Sequence, residues 1–200
     1  MDEWNGQMGL FEDNPTRQVP DKKRVVVFDL ETQRSFDEVG GRSQLHRLGV
    51  SVGVAYAYDQ DQFLTFHEQT IGRLIELLRS ADLVVGYNIV GFDYHVLRGY
   101  TEEDLSALPT FDIMYDLEGR LGFRPKLESV VAPTLGTGKS ADGLQALEWW
   151  KQGEVEKIEE YCRDDVRVTR DLLDFGLRNR FVLVARFGGK PRRVEVDWTV

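Results

Sequence analysis

The amino-acid sequence predicts an α/β fold in which a mixed five-stranded sheet is flanked by helices and followed by a C-terminal β-hairpin. Apolar runs with the patterning of strands dominate the first half of the chain, and segments with helical spacing dominate the second half. Between them, short strands alternate with helices. Strands that begin as a meander and then alternate with helices are typical of a mixed sheet covered by helices.

Five segments have the composition of strands. The first is a continuous apolar run that ends in an acid, which favours a central strand buried on both faces. The second and third are separated by Asp59-Gln60-Asp61, a sequence typical of a hairpin turn. The predicted strands comprise residues 24–30, 48–58, 62–66, 83–86 and 110–113.

Six segments have helical spacing. Asp142 is a candidate N-cap of the fifth, and Gly153 separates the fifth from the sixth. Apolar segments on either side of Gly188-Gly189 predict a terminal hairpin within residues 181–198. The predicted helices comprise residues 71–78, 92–98, 113–121, 127–131, 144–150 and 155–175.

The composition is that of an ordinary soluble globular protein. A chain of 200 residues, 42% of them hydrophobic, fits one domain, which we assign to residues 24–200 after an N-terminal tail or arm at residues 1–23. No apolar stretch approaches the roughly 20 residues that span a bilayer, and the N-terminus lacks the pattern of a signal peptide. Because the single Cys162 cannot form an internal disulfide, the expected compartment is the cytoplasm.

The formal net charge of −9 argues against a protein that coats nucleic acid by bulk electrostatics, because such proteins are basic. It does not exclude an enzyme that acts on nucleic acid. Divalent cations held between protein carboxylates and substrate phosphates reverse the local sign of the charge.

Two carboxylates lie at the end of the first predicted strand, in Phe28-Asp29-Leu30-Glu31-Thr32. Side chains alternate along a strand, so Asp29 and Glu31 point to the same face. Carboxylates at the end of a buried strand are unfavourable unless a positive charge meets them, and this segment contains no basic residue. A divalent cation would meet them, although an isolated pair of this kind is more often a solvated strand end.

Two later segments add further candidate groups. Asp93 follows another short buried strand in Asn88-Ile89-Val90-Gly91-Phe92-Asp93; taken singly, it is also a suitable acid for a helix N-terminus. Tyr161 and Asp165 are four residues apart in the last predicted helix and therefore share one helix face. Taken singly, they are equally consistent with a core tyrosine and a surface acid.

Together, D-x-E-T at a strand end, N-x3-F-D after a later strand and Y-x3-D on a late helix resemble the motifs of the DEDD exonucleases. That family contains polymerase proofreading domains and RNase D-like ribonucleases. The resemblance covers roughly residues 24–178 and implies an RNase H-like fold.

The tyrosine points to one branch of the family. The other branch has a histidine five residues before the last aspartate, and that position is Glu160 here, whereas Tyr161 matches the tyrosine (DEDDy) branch. Residues 136–150 and the terminal hairpin are most similar to stand-alone exonucleases related to the proofreading domain of family B DNA polymerases.

The resemblance implies a metal-dependent 3′→5′ exonuclease that acts on single-stranded nucleic acid, with DNA favoured over RNA. It implies two divalent cations, Mg²⁺ or Mn²⁺, as cofactors. Asp29 is then expected to bridge both ions, Glu31 and Asp165 to complete the site of the ion that holds the nucleophilic water, and Asp93 to hold the second ion.

The resemblance also implies roles for three uncharged residues. Tyr161 is expected to orient the water, since a free tyrosine pKa of about 10 makes it a poor base at neutral pH. Thr32 and Asn88 match family positions that contact the terminal nucleotide. No membrane partner is expected.

Three alternative functions stay open at this point. A 3′→5′ exoribonuclease differs only in how the pocket treats the 2′-hydroxyl. A catalytically silent nucleic-acid-binding module on the same fold belongs to another class of protein, and the complete set of acids disfavours it. An endonuclease of the RNase H type uses a similar acidic centre, but the Y-x3-D motif disfavours it.

Other patterns carry less weight. Residues 136–140 resemble a phosphate-binding P-loop, but Pro133 stands where the first glycine is required. The three histidines lack zinc-ligand spacing, and Trp149-Trp150 is expected to pack on the core rather than to stack on bases. Some basic residues would suit a rim that steers a strand towards the acids, although scattered solvated charges explain most of them. These residues are Arg42, His46, Arg47, Arg120, Arg124 and Lys126.

Overall fold

The computed structural model describes residues 23–137, 143–186 and 188–199. They form a five-stranded sheet with helices on both faces and a separate two-stranded sheet, which confirms the predicted architecture. The strands are β1 (Val25–Thr32), β2 (Val50–Ala57), β3 (Gln62–His67), β4 (Leu83–Gly86), β5 (Thr110–Asp112), β6 (Phe181–Val184) and β7 (Arg192–Glu195). The α-helices are α1 (Phe36–Val39), α2 (Ile71–Arg79), α3 (Asp93–Leu97), α4 (Ile113–Leu121), α5 (Leu127–Leu135), α6 (Gly143–Gln152) and α7 (Val155–Asn179).

The central strand of the large sheet is β1, because the strand order is β3-β2-β1-β4-β5. It is antiparallel to β2 and parallel to β4. Pairing with β2 continues to Thr32, whereas pairing with β4 covers residues 25–27. Beyond residue 27, the edge of β1 that faces β4 therefore has no strand partner among the described residues, and its backbone groups can bond to other residues.

Alternate side chains of β1 enter two separate cores. Val26, Phe28 and Leu30 pack in the core that includes α2 and α3, whereas Val25 and Val27 pack in the core that includes α7. Burying one such side chain fully contributes roughly 1.5–3 kcal/mol. A slip of one residue would move each side chain to the opposite face, so the two cores specify the register of β1.

The helices follow the prediction with a few differences. α5 continues to Leu135 rather than ending at residue 131, and α7 continues to Asn179. α1 was not predicted, nor were three short 3₁₀ segments, because one or two turns are too short to reveal helical periodicity. The 3₁₀ segments are Arg42–Arg47, Glu68–Thr70 and Leu105–Ala107.

The small sheet is attached to the rest of the domain through α5. Pro133 has no N–H and leaves the carbonyl of Ser129 without its usual partner in the helix; that oxygen accepts from the Ala185 N–H at 2.7 Å. Thr134 Oγ1 accepts from the Leu183 N–H at 2.9 Å and donates to the Leu183 carbonyl at 3.0 Å. The proline that breaks the P-loop pattern thus helps to join β6 to α5.

Three sequence-based expectations lie wholly or largely outside the described residues: the tail at residues 1–23, the Asp142 N-cap and the end of the P-loop-like segment. The predicted helix at residues 127–131 is confirmed, and it stands where a P-loop requires a strand. Within the described residues, no helix has the length and apolarity to cross a bilayer.

Candidate active-site cleft

The pleat of β1 turns Asp29 and Glu31 towards α7. Both residues lie on the same face of the strand as Val25 and Val27, whose side chains pack in the α7 core. β1 is thus apolar on this face until Val27 and acidic beyond it. The predicted common face of the two carboxylates is confirmed.

The Asp165 carboxylate reaches this acidic end of β1 from α7. One carboxylate oxygen each from Asp29, Glu31 and Asp165 lies within 4.8 Å of the other two. Asp29 and Glu31 are half-buried, and Asp165 is buried. Hard cations such as Mg²⁺ bind carboxylate oxygens at about 2.0–2.1 Å, so side-chain movements of less than about 1 Å would let one ion contact all three groups. The donor set therefore fits a hard divalent cation.

Asp93 lies on the other side of β1, at the start of α3. Its Oδ1 accepts from the Leu30 N–H at 3.1 Å, although the two residues are 63 apart in sequence. The carboxylate thus occupies the open edge of β1 where β4 has already ended. Burial, followed by the neighbouring charge of Asp29, raises the pKa of Asp93 well above its ordinary value. Asp93 lines the cleft without belonging to the cluster of three.

Tyr161 lies one helical turn before Asp165 and is buried. Burial raises the pKa of its hydroxyl, and the charges of Asp165, Glu31 and Asp29 raise it further. The hydroxyl is therefore neutral and able to donate a hydrogen bond at physiological pH. Trp149 packs edge-on against the Tyr161 ring, with centroids 6.2 Å apart, which confirms a packing role for that tryptophan.

Cys162 lies behind Asp29. Its Sγ is 3.4 Å from the Asp29 carbonyl oxygen and 3.8 Å from Oδ2. Burial, with the charges of three nearby acids, raises the pKa of the thiol well above its ordinary value. The uncharged thiol therefore supports the position of Asp29 without adding a negative charge.

The loop between β4 and α3 is organised by Asp112, which the sequence did not single out. Its carboxylate accepts from the N–H groups of Asn88 at 2.8 Å and Val90 at 3.0 Å. The same carboxylate caps α4 by accepting from Met114 and Tyr115. An acid directly before a helix is a recognisable capping signal, but its second use on a loop 24 residues away is decided by tertiary contact.

Asp112 also explains the backbone conformation of Asn88, which has φ of 68°. Few residues other than glycine adopt this left-handed region, although asparagine does so more readily than most. The two hydrogen bonds from the loop to Asp112 hold it there. Asn88 is thereby presented to the cleft ahead of Asp93.

The four predicted metal-binding acids, Tyr161 and Asn88 share one cleft of about 520 Å³. Thr32 also lines it, and its Oγ1 donates to the Arg34 carbonyl at 3.2 Å. Apolar side chains complete the lining, among them Phe36, Phe92 and Leu144. All seven residues singled out from the sequence line this cleft, namely Asp29, Glu31, Thr32, Asn88, Asp93, Tyr161 and Asp165.

A mixed sheet whose central strand ends in clustered carboxylates defines the class as an RNase H-like domain. Residues 26–175 match the family model RNase_H_2, described as RNase_H superfamily. The chain therefore belongs to the RNase H superfamily, and the predicted RNase H-like fold is confirmed. No curated protein matches the chain.

Two solved structures show the same fold. One is a family B DNA polymerase from the hyperthermophilic archaeon Pyrobaculum calidifontis, at 19% identity and a TM-score of 0.58, with 79% of this chain and 25% of the polymerase covered. The other is RNase D from Trypanosoma brucei, at 14% identity and a TM-score of 0.55, with 76% of this chain and 57% of that chain covered. The chain thus spans about a quarter of the polymerase and just over half of the RNase D.

Proposed function

We propose that this protein is a metal-dependent 3′→5′ exonuclease of the tyrosine branch of the DEDD family, acting on single-stranded nucleic acid with DNA as the favoured substrate. The observation that carries the proposal is the convergence of Asp29, Glu31 and Asp165 within 4.8 Å, with Asp93 and Tyr161 in the same cleft. The alternative, that these acids are ordinary solvated residues of the surface, does not fit, because Asp93 and Asp165 are buried, as is Tyr161.

The four carboxylates would hold two divalent cations, Mg²⁺ or Mn²⁺. Asp29, Glu31 and Asp165 form one group of ligands, and Asp93, which stands apart from that group, would serve the second position together with Asp29. When bound there, two such ions would supply an activated water and stabilise the charge on the leaving oxygen.

The remaining residues would position the substrate. The neutral Tyr161 hydroxyl would donate a hydrogen bond to the water or to the scissile phosphate. Thr32, at the end of β1, and Asn88, in the loop after β4, would contact the terminal nucleotide. Phe36 and Phe92, whose rings meet edge-on with centroids 6.1 Å apart, line the cleft beside them and offer apolar surface to a base.

A second candidate is a 3′→5′ exoribonuclease, which the similarity in fold to an RNase D favours. The same acids would act in both reactions, and the difference would lie in contacts to the 2′-hydroxyl. A catalytically silent binding module is disfavoured by the complete set of acids, because clustered carboxylates repel a phosphate backbone unless cations are bound between them.

The decisive experiment is digestion of 5′-labelled DNA and RNA single strands in Mg²⁺, Mn²⁺ or chelator. We expect a ladder that shortens from the 3′ end, requires the metal and is stronger with DNA. Asp165→Ala is expected to abolish it, because one of the three clustered ligands is lost. Asp164→Ala is the matched control, since this neighbouring acid pairs with Arg167 at 3.2 Å and does not line the cleft.

Two outcomes would contradict the proposal. Wild-type activity in Asp165→Ala, in metal-defined buffer, would exclude the proposed centre. Cleavage of a circular single strand would indicate an endonuclease instead.

A further inference from the structure

A second cleft, which we call the basic cleft, adjoins the acidic one. Its volume is about 620 Å³, and it is lined by three arginines and two histidines, namely Arg42, Arg98, Arg124, His46 and His95. No acidic side chain is among the described residues that line it. The whole sequence carries 34 acidic and 25 basic residues, so this concentration of cations is a local departure from the overall charge.

Tertiary packing brings these arginines and histidines together from three segments. Arg42 and His46 belong to a 3₁₀ segment, His95 and Arg98 to α3 and its C-terminal end, and Arg124 to the loop after α4. Gly99 packs against the His46 carbonyl so closely that a Cβ there would overlap it. Of the rim predicted from sequence, Arg42, His46 and Arg124 line this cleft, and Arg47, Arg120 and Lys126 do not.

The basic and acidic clefts are continuous. Phe36, Asn88 and Phe92 line both of them. The edge-on pair of Phe36 and Phe92 therefore lies at the junction, between the carboxylates on one side and the cations on the other. A chain molecule that occupies the acidic cleft with one unit would pass this aromatic pair and continue into the basic cleft.

The basic cleft also carries aromatic surface. The Arg42 guanidinium lies 4.9 Å from the centre of the Phe36 ring, and that of Arg124 lies 5.1 Å from the centre of the Tyr115 ring. Tyr115, which is 38% exposed, and Phe123, which precedes Arg124 in the chain and is 52% exposed, lie outside the lining of the cleft itself, whose rings are Phe36 and Phe92. Cations that track a phosphate backbone, combined with exposed rings, are typical of surfaces that bind single strands without sequence preference.

We propose that the basic cleft binds the phosphate backbone of a single-stranded polynucleotide on the 5′ side of its terminal nucleotide. This inference rests on the proposed function for the direction of the strand. The acidic cleft would then hold the reacting nucleotide at the 3′ end. The basic cleft would hold the phosphates of the nucleotides on its 5′ side. The protein would consequently prefer strands of several nucleotides to a single nucleotide.

Arg42 and Arg98 are the best residues with which to test this. Both are exposed, and within the described part of the chain neither has an acidic partner in ion-pair distance, whereas Arg124 pairs with Glu118 at 3.0 Å. The test variant is Arg42→Gln with Arg98→Gln. The control is Arg178→Gln with Arg192→Gln, which removes the same total charge. Arg178 lies 13 residues after Asp165 along α7, or about 20 Å at 1.5 Å per residue.

Binding is measured first, in the inactive Asp165→Ala background, with a fluorescent strand of six nucleotides over a range of salt concentrations. Each phosphate contact to a single strand contributes about 0.7 to the slope of log affinity against log salt concentration. We therefore expect the test variant to have a slope shallower by about 1.4, and the control to keep the parent slope. Arg42→Lys with Arg98→Lys should keep it as well, because both charges remain.

Hydrolysis is measured second, with strands of one to six nucleotides and with the p-nitrophenyl ester of thymidine 5′-phosphate. We expect KM for six nucleotides to rise roughly tenfold in the test variant, because two solvent-exposed ion pairs with phosphates are lost. The loss should shrink with decreasing length and be smallest for the ester. DNA and RNA strands should lose affinity equally, because the backbone phosphate is common to both.

The two proposals fail in different ways. If the wild-type protein hydrolyses strands but the test and control variants have equal salt slopes, the basic cleft is not a binding site and this inference is overturned. If no strand is hydrolysed but the salt dependence of binding is still shallower in the test variant than in the control, the exonuclease proposal fails. The basic cleft then stands as a site for polynucleotide backbones. If the lysine variant shows the same decrease in slope as the test variant, the decrease reflects damage to the fold and the inference is also overturned.

Discussion

At the scale of single residues, Tyr161 illustrates how the surroundings determine a chemical role. An ordinary tyrosine hydroxyl is a weak base at neutral pH, and burial beside Asp165, Glu31 and Asp29 raises its pKa further. In the metal-free protein, deprotonation of this group is therefore opposed by the same carboxylates that would bind the metal. Burial, the largest cause of the raised pKa, favours the neutral hydroxyl with or without cations, so we expect Tyr161 to donate a hydrogen bond and to position the reacting groups.

We predict that Tyr161→Phe lowers kcat by roughly 10- to 100-fold while metal binding stays near that of the wild-type protein, because losing a hydrogen bond that orients the groups of a metal site usually has an effect of this size. Steady-state hydrolysis and the thermal shift produced by Mg²⁺ measure the two quantities. Tyr58→Phe is the matched control, since Tyr58 also donates to an α7 aspartate, Asp174, at 2.8 Å but lies outside the cleft. A Tyr161→Phe variant with the wild-type kcat would contradict the assigned role.

Asp112 shows that one residue can organise a site without touching the reacting groups. Its carboxylate accepts from the loop before α3 and from the first turn of α4. Burial raises its pKa, although the backbone hydrogen bonds act in the opposite direction. Two N–H donors from the loop thus attach Asn88 to the end of β5, while two more from α4 hold the same carboxylate in place. Sequence reasoning did not identify Asp112, because a capping acid looks the same whether or not it has a second partner.

At the scale of elements, α7 combines two functions along its length. Its middle section carries Tyr161, Cys162 and Asp165 towards β1. Its last turns pack against the C-terminal segment, where Trp198 lies so close to Gly176 that a Cβ at this position would overlap the indole ring. Trp198 also donates from Nε1 to Asp116 Oδ2 at 2.7 Å, which joins the C-terminal segment to α4.

We predict that Gly176→Ala destabilises the protein by roughly 1–3 kcal/mol, as overpacking of a filled core does. Unfolding in urea measures the change. Gly119→Ala in α4 is the matched control, because a Cβ there meets no atom within 4 Å and alanine favours a helix by up to about 1 kcal/mol over glycine. The two substitutions should therefore change the free energy of unfolding in opposite directions, and a gain of stability from both would refute this packing argument.

At the scale of the whole molecule, the acidic cleft connects folding to metal binding. Asp29, Glu31 and Asp165 are held within 4.8 Å of one another, and Asp93 is buried behind Leu30. Without cations these like charges repel and lower the stability of the fold. A cation that binds only the folded chain offsets this repulsion and stabilises it by mass action.

We predict that Mg²⁺ or Mn²⁺ at about 100 times its Kd stabilises the protein by about 2.7 kcal/mol. For a chain of this size, that corresponds to a rise in Tm of roughly 5–10 °C. Thermal unfolding with each metal and with chelator measures the effect. Asp165→Asn should reduce the rise and should increase Tm in chelator, because one negative charge is removed. Equal Tm values with metal and with chelator would argue against a cation site in this cleft.

Much of this architecture was predictable from local patterns. The apolar run of β1 and the hairpin of β2 and β3 follow a period of two, and α2 and α7 follow a helical period; both are properties of neighbouring residues. The same periods place Asp29 with Glu31, and Tyr161 with Asp165. Short elements such as α1 were missed because one turn contains too few residues to show a period.

By itself, the sequence determined which strand is central, which face of that strand carries the acids and which helix face meets it, because each follows from the spacing of residues close together in the chain. Only the tertiary structure decided that Asp93 occupies the open edge of β1, that Asp112 holds the Asn88 loop, and that Arg42 and Arg98 meet in one cleft. The physical reason is that these contacts join segments far apart in the chain. Their geometry is set by how the two cores pack on either side of β1, and a local pattern carries no information about that packing.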